Sequence, residues 1–250
     1  MHVTNSSHSF FITGTDTGVG KTVITGAVLV ALQQQGKHVG ILKPIETGVT
    51  PHQTEQSDVS RLRRLMTSPP PSSSMCLYRF EAPLAPLSCS RATGIDVDLS
   101  KILQQVQALS QQHDMVLIEG AGGLLTPLTA TNTILDLIVT LQLPCLMVGR
   151  TDLGAVNHTL LSLQTLQRAG IPTQALVLNE PSSDQGSPTV ALQRGSSVEL
   201  IREFAHVTVV GPLGYEEIIQ SDWEKGVRQL AGQPEIQRLA MSLVMKGAIN

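Results

Sequence analysis

This chain has few charges and few aromatic rings. Charged residues are 15% of the 250 positions and aromatics 3%, against 41% apolar residues, with a net charge of −3. Disordered chains show the opposite balance, so this composition excludes disorder. It fits a sheet covered by helices on both faces, whose strands read as continuous Val/Ile/Leu runs. No broad basic field exists, which argues against a nucleic-acid partner. The one basic knot, Arg61, Arg63 and Arg64, reads as a solvated helix face. Cysteine is limited to Cys76, Cys89 and Cys145. An odd number with no CxxC excludes a disulfide framework and a zinc site, and points to a reducing compartment. No apolar run approaches the ~20 residues of a membrane helix, and residues 1–9 lack an apolar signal core. The sequence therefore predicts a cytoplasmic protein with no membrane partner, a flexible stretch over residues 1–9 and one domain over 10–250.

The most informative stretch runs from Phe10 to Thr22, FFITGTDTGVGKT. An apolar run leads into small residues and ends in Gly-Lys-Thr. An amphipathic run begins at Val23. This is the grammar of a buried strand, a tight turn and a helix start. Unpaired N–H groups and the positive end of the helix dipole make such a start an anion site. Gly18, Val19 and Gly20 let a phosphate approach closely. Lys21 can then lie along the β/γ-phosphates of a nucleotide, and the Thr22 hydroxyl can ligate Mg²⁺. The spacing departs from the strict phosphate-loop pattern, which wants glycine at position 15. Thr15 stands there, and Gly14 lies one place earlier.

Further along, periodicity predicts a helix closed by Gly36, then a strand over 38–44 carrying Lys43 at its end. Residues 45–57 read as loop. Ser57 or Asp58 caps a helix through Met66, residues 67–74 read as a surface loop, and residues 78–94 as an irregular, proline-rich stretch. Asp98 caps a helix from Leu99. Residues 115–119 form a strand ending in Glu119 and a glycine-rich turn. A helix over 133–141, a strand over 143–148 and a helix over 153–168 follow. A strand over 175–178 ends at Asn179. A polar loop, a helix over 197–204, a strand over 207–210 and two terminal helices complete the chain. Alternating strands and helices imply an α/β fold, a mostly parallel, doubly wound sheet of the P-loop kind.

In such sheets ligands bind at the carboxyl ends of the strands. Lys43, Glu119 and Asn179 are carried to that rim. Lys43 either snorkels to water or meets a second phosphate or substrate anion, and the neighbouring phosphate loop favours the anion. Glu119 stands where P-loop proteins place a metal-binding acid, with loop capping as the other reading. Asp58 is a helix cap or a further metal ligand.

These residues resemble the dethiobiotin synthetase family. The resemblance rests on TGTDTGVGKT over 13–22, KPIETG over 43–48, Ser57-Asp58 and EGAGG over 119–123. It also rests on Pro83, Pro86, Gly94-Ile95-Asp96, LGAVNHT over 153–159 and Leu178-Asn179. It explains the displaced first glycine. It implies ATP and Mg²⁺ as cofactors, with 7,8-diaminononanoate and CO₂ as substrates. It implies that Lys21, Lys43 and Thr17 carry the chemistry and that Thr22, Asp58 and Glu119 hold the metal. Gly18 through Val23 would cradle the phosphates, and Asn179 with Gly211, Pro212 and Leu213 would take the adenine. Thr17, Lys43, Thr47, Gly154 and Asn157 would bind the diamino acid, the last two across a homodimer interface. Three positions depart from the familiar pattern. Glu46 replaces a small or amide residue, Thr47 a serine, and Leu87 a histidine. The tail after Tyr215 diverges. Two rivals share the fold class, a partitioning-type ATPase switched by partners and a ligase amidating a corrinoid acid. Asp16 stands where the first carries a lysine, and the second usually adds a glutaminase domain for which this chain has no room after 215.

Overall fold

The computed structural model describes residues 8–180, 188–214 and 216–246. Most of the N-terminal stretch expected to be flexible, and residues 181–187 of the polar loop, lie outside the described residues. His8 and Ser9 open the first strand.

In chain order the elements begin with β1 (His8–Gly14), α1 (Lys21–Gln34), β2 (Val39–Leu42), β3 (Ile45–Thr47), a 3-10 helix (Pro51–Gln56) and α2 (Asp58–Leu65). Then come α3 (Ser72–Met75), β4 (Tyr78–Phe80), α4 (Pro86–Thr93), α5 (Leu99–Ser110), β5 (Met115–Glu119) and α6 (Ile134–Leu141). The remainder is β6 (Cys145–Gly149), α7 (Ala155–Arg168), β7 (Thr173–Asn179), α8 (Pro188–Phe204), β8 (Val209–Leu213), α9 (Ile218–Ser221), α10 (Trp223–Ala231) and α11 (Pro234–Lys246).

Six strands form one parallel sheet in the order β2-β5-β1-β6-β7-β8. The two-residue period of a strand divides the core. Phe10 and Ile12 of β1 face one side, where α1, α2, α10 and α11 contribute Leu29, Leu62, Leu230 and Leu239. Phe11 faces the other side, against Ile102 of α5, Ile138 of α6, Leu166 of α7 and Ile201 of α8. Both faces are thus covered, as the composition suggested. The chain leaves β1 toward β2 on one side and later returns to β6 on the other. The carboxyl end of β1 is therefore a switch point, where a crevice opens.

Several boundaries differ from expectation, each for a local reason. Residues 45–57 contain β3 and a 3-10 helix, and residues 78–94 contain β4 and α4. β3 and β4 pair in a separate two-stranded sheet. Three-residue strands are too short to show alternation. α4 has Pro86 in its first turn and Gly94 (φ 72°) as its C-cap, a proline-start, glycine-stop helix hidden in a proline-rich stretch. α3 is a single turn beginning in a stretch read as loop, and α9 is a single turn ahead of the two terminal helices. α8 starts at Pro188, not near 197, because its first turns are exposed and carry no apolar stripe. The last strand lies at 209–213. Asp98, Ser57 and Thr133 each cap the helix that follows.

Candidate active site

The phosphate loop turns out of β1 between Thr15 and Gly20. Thr15 still donates its N–H to the Val148 carbonyl (2.9 Å), so it continues the β1–β6 ladder. Gly14 is the position without room: a Cβ there would lie 2.7 Å from Val19 Cγ2 and 3.3 Å from Lys21 Cδ. The displaced glycine thus has a packing cause. Gly20 takes φ 96° as it opens α1, and a Cβ on it would strike the Asn179 amide. Helix α1 begins at Lys21, two residues before the apolar periodicity starts, because its first two residues, Lys21 and Thr22, are polar.

A cleft of about 570 Å³ opens over this turn. Thr17, Gly18, Gly20, Lys21, Thr22 and Val23 line one side. Lys43, Glu46, Thr47 and Asp58 line another, with Glu119 and Gly120 from the end of β5. Pro83, Pro86, Thr126 and Pro127 complete the wall. Val19, expected in the phosphate cradle, is fully buried and does not line the cleft.

Charge is concentrated at one point. The Lys43 ammonium donates to Asp58 Oδ2 at 2.5 Å and to Glu119 Oε1 at 2.6 Å. The Thr22 hydroxyl donates to the same Glu119 oxygen at 2.7 Å. Glu119 is fully buried, and its Oε2 has no hydrogen-bond partner. Burial alone would lower the Lys43 pKa, but Glu119 and Asp58 overrule it and hold the ammonium above the ordinary lysine value. Burial pushes the Asp58 carboxyl up, and the charge and hydrogen bond of Lys43 overrule it, holding Asp58 below the carboxylate range. Lys21 has no such anchor. Its Nζ donates to the Asp16 carbonyl at 2.8 Å, and burial lowers its pKa to about 8. A buried ammonium whose pKa is lowered by burial is poised to accept an anion.

The donor set fits a divalent cation. Thr22, Asp58 and Glu119 offer hard oxygens, and the orphaned Glu119 oxygen is a polar atom in need of a partner. Among the described residues no cluster of three or more His, Cys, Asp or Glu could hold a metal unaided. Two carboxylates and a hydroxyl beside a phosphate cradle match Mg²⁺, which takes few protein ligands and completes its shell with phosphate oxygens and water.

Other expected residues lie elsewhere. Asn179 is buried and donates from Nδ2 to the Val19 carbonyl at 3.0 Å, bracing the loop from β7. Gly211, Pro212 and Leu213 lie on β8 beside it, where Leu213 pairs with Asn179. None of the four lines the cleft. Gly154, φ 91°, opens α7 at the carboxyl edge of the sheet, and Asn157 is exposed one turn on. They too stand outside the cleft.

Among the cleft residues that escaped the sequence reading are Arg61 and Trp223. Arg61 belongs to the basic knot assigned to a solvated face, yet it lines the cleft, its guanidinium carbon 5.8 Å from the Trp223 ring centroid. Its neighbours do face outward: Arg63 donates to the Pro70 carbonyl, and Arg64 to Glu224. The spacing of Arg61 three residues after Asp58, on one helix face, was the available signal. Trp223 is the only tryptophan, and no motif marks it.

An AAA-domain family model matches residues 8–222. An ATP-dependent dethiobiotin synthetase of Anaeromyxobacter sp. (strain K) is 38% identical over 233 residues, 93% of this chain and 94% of that one. One from Bacillus cereus (strain B4264) is 34% identical over 220 residues, 85% of this chain and 88% of that one. By fold the chain is similar to the MinC:MinD cell division complex of Aquifex aeolicus, with TM-score 0.58, 14% identity and 96% of each chain covered. It is also similar to the cell division ATPase MinD of Pyrococcus furiosus, with TM-score 0.55, 16% identity, and 96% of this chain and 99% of that one covered. Those likenesses establish the P-loop architecture alone, whereas identity above one third along most of both chains is specific. The chain belongs to the ATP-dependent dethiobiotin synthetase family.

Proposed function

We propose that residues 10–250 act as one synthetase domain that closes the ureido ring of dethiobiotin from 7,8-diaminononanoate, CO₂ and MgATP. One substrate amine adds to CO₂ and loses a proton, giving a carbamate. A carbamate oxygen attacks the γ-phosphorus, and ADP leaves. The second amine attacks the carbonyl of the resulting carbamic–phosphoric anhydride, releasing phosphate and a proton as the ring closes. Such steps need little covalent help from the protein. They need orientation and charge stabilisation.

Lys21 meets the β/γ-phosphates from inside the loop. Lys43 meets the carbamate and the γ-phosphoryl oxygens. Thr17 and Thr47, which line the cleft, hydrogen-bond the carbamate and the diamino acid. Thr22, Asp58 and Glu119 would hold Mg²⁺, which would supply charge neutralisation at the nucleotide phosphates. Asn179 reads the adenine edge with Gly211, Pro212 and Leu213 beside it. Gly154 and Asn157 at the start of α7 receive the substrate carboxylate across a homodimer interface. The exposed Leu125, Leu153 and Leu161 on that side support this, being apolar surface that a second copy would cover. Sedimentation of the purified protein tests the dimer, and a monomer at micromolar concentration refutes it. The free thiols Cys76, Cys89 and Cys145 support a cytoplasmic location.

The observation that carries this reading is the convergence of two buried lysines on one cleft with two carboxylates and a hydroxyl. The experiment combines the protein with MgATP and bicarbonate, with and without the diamino acid. Phosphate release that depends on the diamine supports the synthetase. Release that depends on DNA, lipid or a protein partner supports the partitioning-type ATPase, whose relatives share the fold.

A further inference from the structure

Glu46 is a departure from the family pattern to which the proposed reaction gives no role. Its carboxylate is 2% exposed although it borders the cleft. Both oxygens are engaged. Oε2 accepts from Arg79 Nε at 3.2 Å, and these two residues are direct partners across the β3–β4 pair. Oε1 accepts from the backbone N–H of Val59 at 3.2 Å. Val59 is the second residue of α2, and its N–H is one of the donors that a helix start leaves unpaired. Ser57 caps α2 in the ordinary way by accepting from Ser60 N. Glu46 is therefore a second cap, reaching the same helix from a neighbouring strand. A carboxylate also suits the positive end of the helix dipole.

Asp58 stands between these two attachments. Its own side chain is held by Lys43, three residues before Glu46 on the same segment. The stretch from Lys43 to Glu46 thus grips the first turn of α2 twice, at the Asp58 carboxylate and at the next residue's backbone. Arg79 ties the outer grip to β4. The Lys43 grip involves the group on which the catalytic reading depends. The Glu46 grip is made to a backbone amide and to Arg79, not to either lysine of the cleft.

We propose that Glu46 is a positioning residue that holds Asp58 in place for the divalent cation, through its hydrogen bond to the Val59 amide. This rests on the reading that Asp58 is a metal ligand. What acts is the acceptor oxygen at that distance, with the negative charge secondary.

Three variants separate these elements. Glu46→Gln keeps an acceptor oxygen at the same reach and removes the charge. Glu46→Asp keeps the charge beside Arg79 and withdraws the acceptor from Val59 by one methylene. Both keep a polar group of similar size, which avoids the buried hole of an alanine. Asp58→Asn tests the underlying reading. The measurements are Mn²⁺ affinity of the ADP complex by electron paramagnetic resonance, ADP affinity in EDTA by calorimetry, and thermal melts. Outer-shell partners of metal ligands change metal affinity by about 10–100-fold. Glu46→Asp and Asp58→Asn are expected to weaken Mn²⁺ by at least about tenfold, and Glu46→Gln to stay within about threefold of the wild type. ADP affinity in EDTA stays unchanged in both Glu46 variants, a pattern that general destabilisation would not produce. If Asp58→Asn weakens Mn²⁺ and Glu46→Asp does not, the positioning role is wrong and the metal assignment stands. If Glu46→Gln is as weak as Glu46→Asp, the hydrogen bond is not what acts, and the proposal is overturned. If Asp58→Asn leaves Mn²⁺ binding intact, the metal assignment of Asp58 fails and takes the proposal with it.

Discussion

Replacing Lys43 by Met should destabilise the protein in the absence of metal, and metal should restore much of the loss. In the ligand-free protein the Lys43 ammonium joins two carboxylates at 2.5 and 2.6 Å, one of them fully buried. Methionine keeps the length of the side chain and removes the charge. Leaving a buried charge without its partner costs about 3–5 kcal/mol. For a domain of this size that is a drop in Tm of about 6–20 °C in EDTA. The pocket left behind has two carboxylates and the Thr22 hydroxyl with no cation between them, so the variant is expected to bind Mn²⁺ without nucleotide. Metal at about 100 times its Kd restores about 2.7 kcal/mol. Wild-type protein without nucleotide gains little from the same metal, because its ammonium already occupies that place. The assay is a pair of thermal melts, in EDTA and in excess Mn²⁺, on each protein. With metal present, turnover of the variant falls below that of the wild type by about 2.7–4 kcal/mol of transition-state stabilisation or more. The reasoning is refuted if metal raises the Tm of wild type and variant equally, or if the variant melts as the wild type does in EDTA.

Other expectations follow from single contacts. Lys21, with its pKa lowered to about 8 by burial, must be protonated to hold phosphate. Nucleotide affinity should fall about tenfold between pH 7 and pH 9 if binding requires the ammonium, measured by calorimetry. In the ligand-free chain the sign is reversed. The lowered folded pKa makes Lys21 a cost below pH 8, relieved as pH rises toward 10.5. Asn179→Asp turns the donor to the Val19 carbonyl into an acceptor. A buried carbonyl left unpaired costs about 1–3 kcal/mol, visible as a lower Tm and weaker ATP binding, and unchanged ATP affinity would remove Asn179 from the support of the loop. His113 stacks on His38 with ring centroids 4.4 Å apart, and burial lowers its pKa. The folded state then binds fewer protons than the unfolded, so stability falls as pH drops through 6.5. Urea melts at pH 7.5 and 5.5 should show this, with a smaller difference in His113→Gln.

Legibility varied with the physical signal each residue leaves in the chain. β1, β5 and β7 were visible because strands buried on both faces must be apolar throughout. Lys43, Glu119 and Asn179 were visible because each breaks such a run at its carboxyl end. The phosphate loop was visible in spite of its spacing, and the reason for that spacing, the contact of Gly14 with Val19, lies in packing that no pattern encodes. β3 and β4 were not legible. Each is three residues long, and their pairing joins positions more than thirty residues apart. With them went the role of Glu46, whose partners Val59 and Arg79 come from two other elements. Arg61 was misjudged because a run of basic residues was treated as one object. On a helix, residues three apart share a face and residues two apart do not, so Arg61 joins Asp58 in the cleft while Arg63 turns away.

The lysines of the cleft also differ in a way that suits the order of the chemistry. Lys21 is buried without a carboxylate in contact, and its charge is satisfied only by the Asp16 carbonyl. It gains most from an incoming phosphate, because burial has already removed its water. Lys43 starts with two carboxylates and gains nothing from an anion until one of them is drawn elsewhere. A divalent cation arriving with the nucleotide competes for those carboxylates, being of higher charge than the ammonium. On the proposed assignment of the site, the first anion contact belongs to Lys21, and Lys43 is expected to become available once metal and nucleotide are in place. Exchange of the Lys43 ammonium against solvent, followed by ¹⁵N NMR, should be slow in the ligand-free protein and unaffected by ADP in EDTA. It should change only when Mg²⁺ and nucleotide are added together. A change with Mg²⁺ alone would mean that the metal displaces Lys43 without help, and the ordering would be wrong.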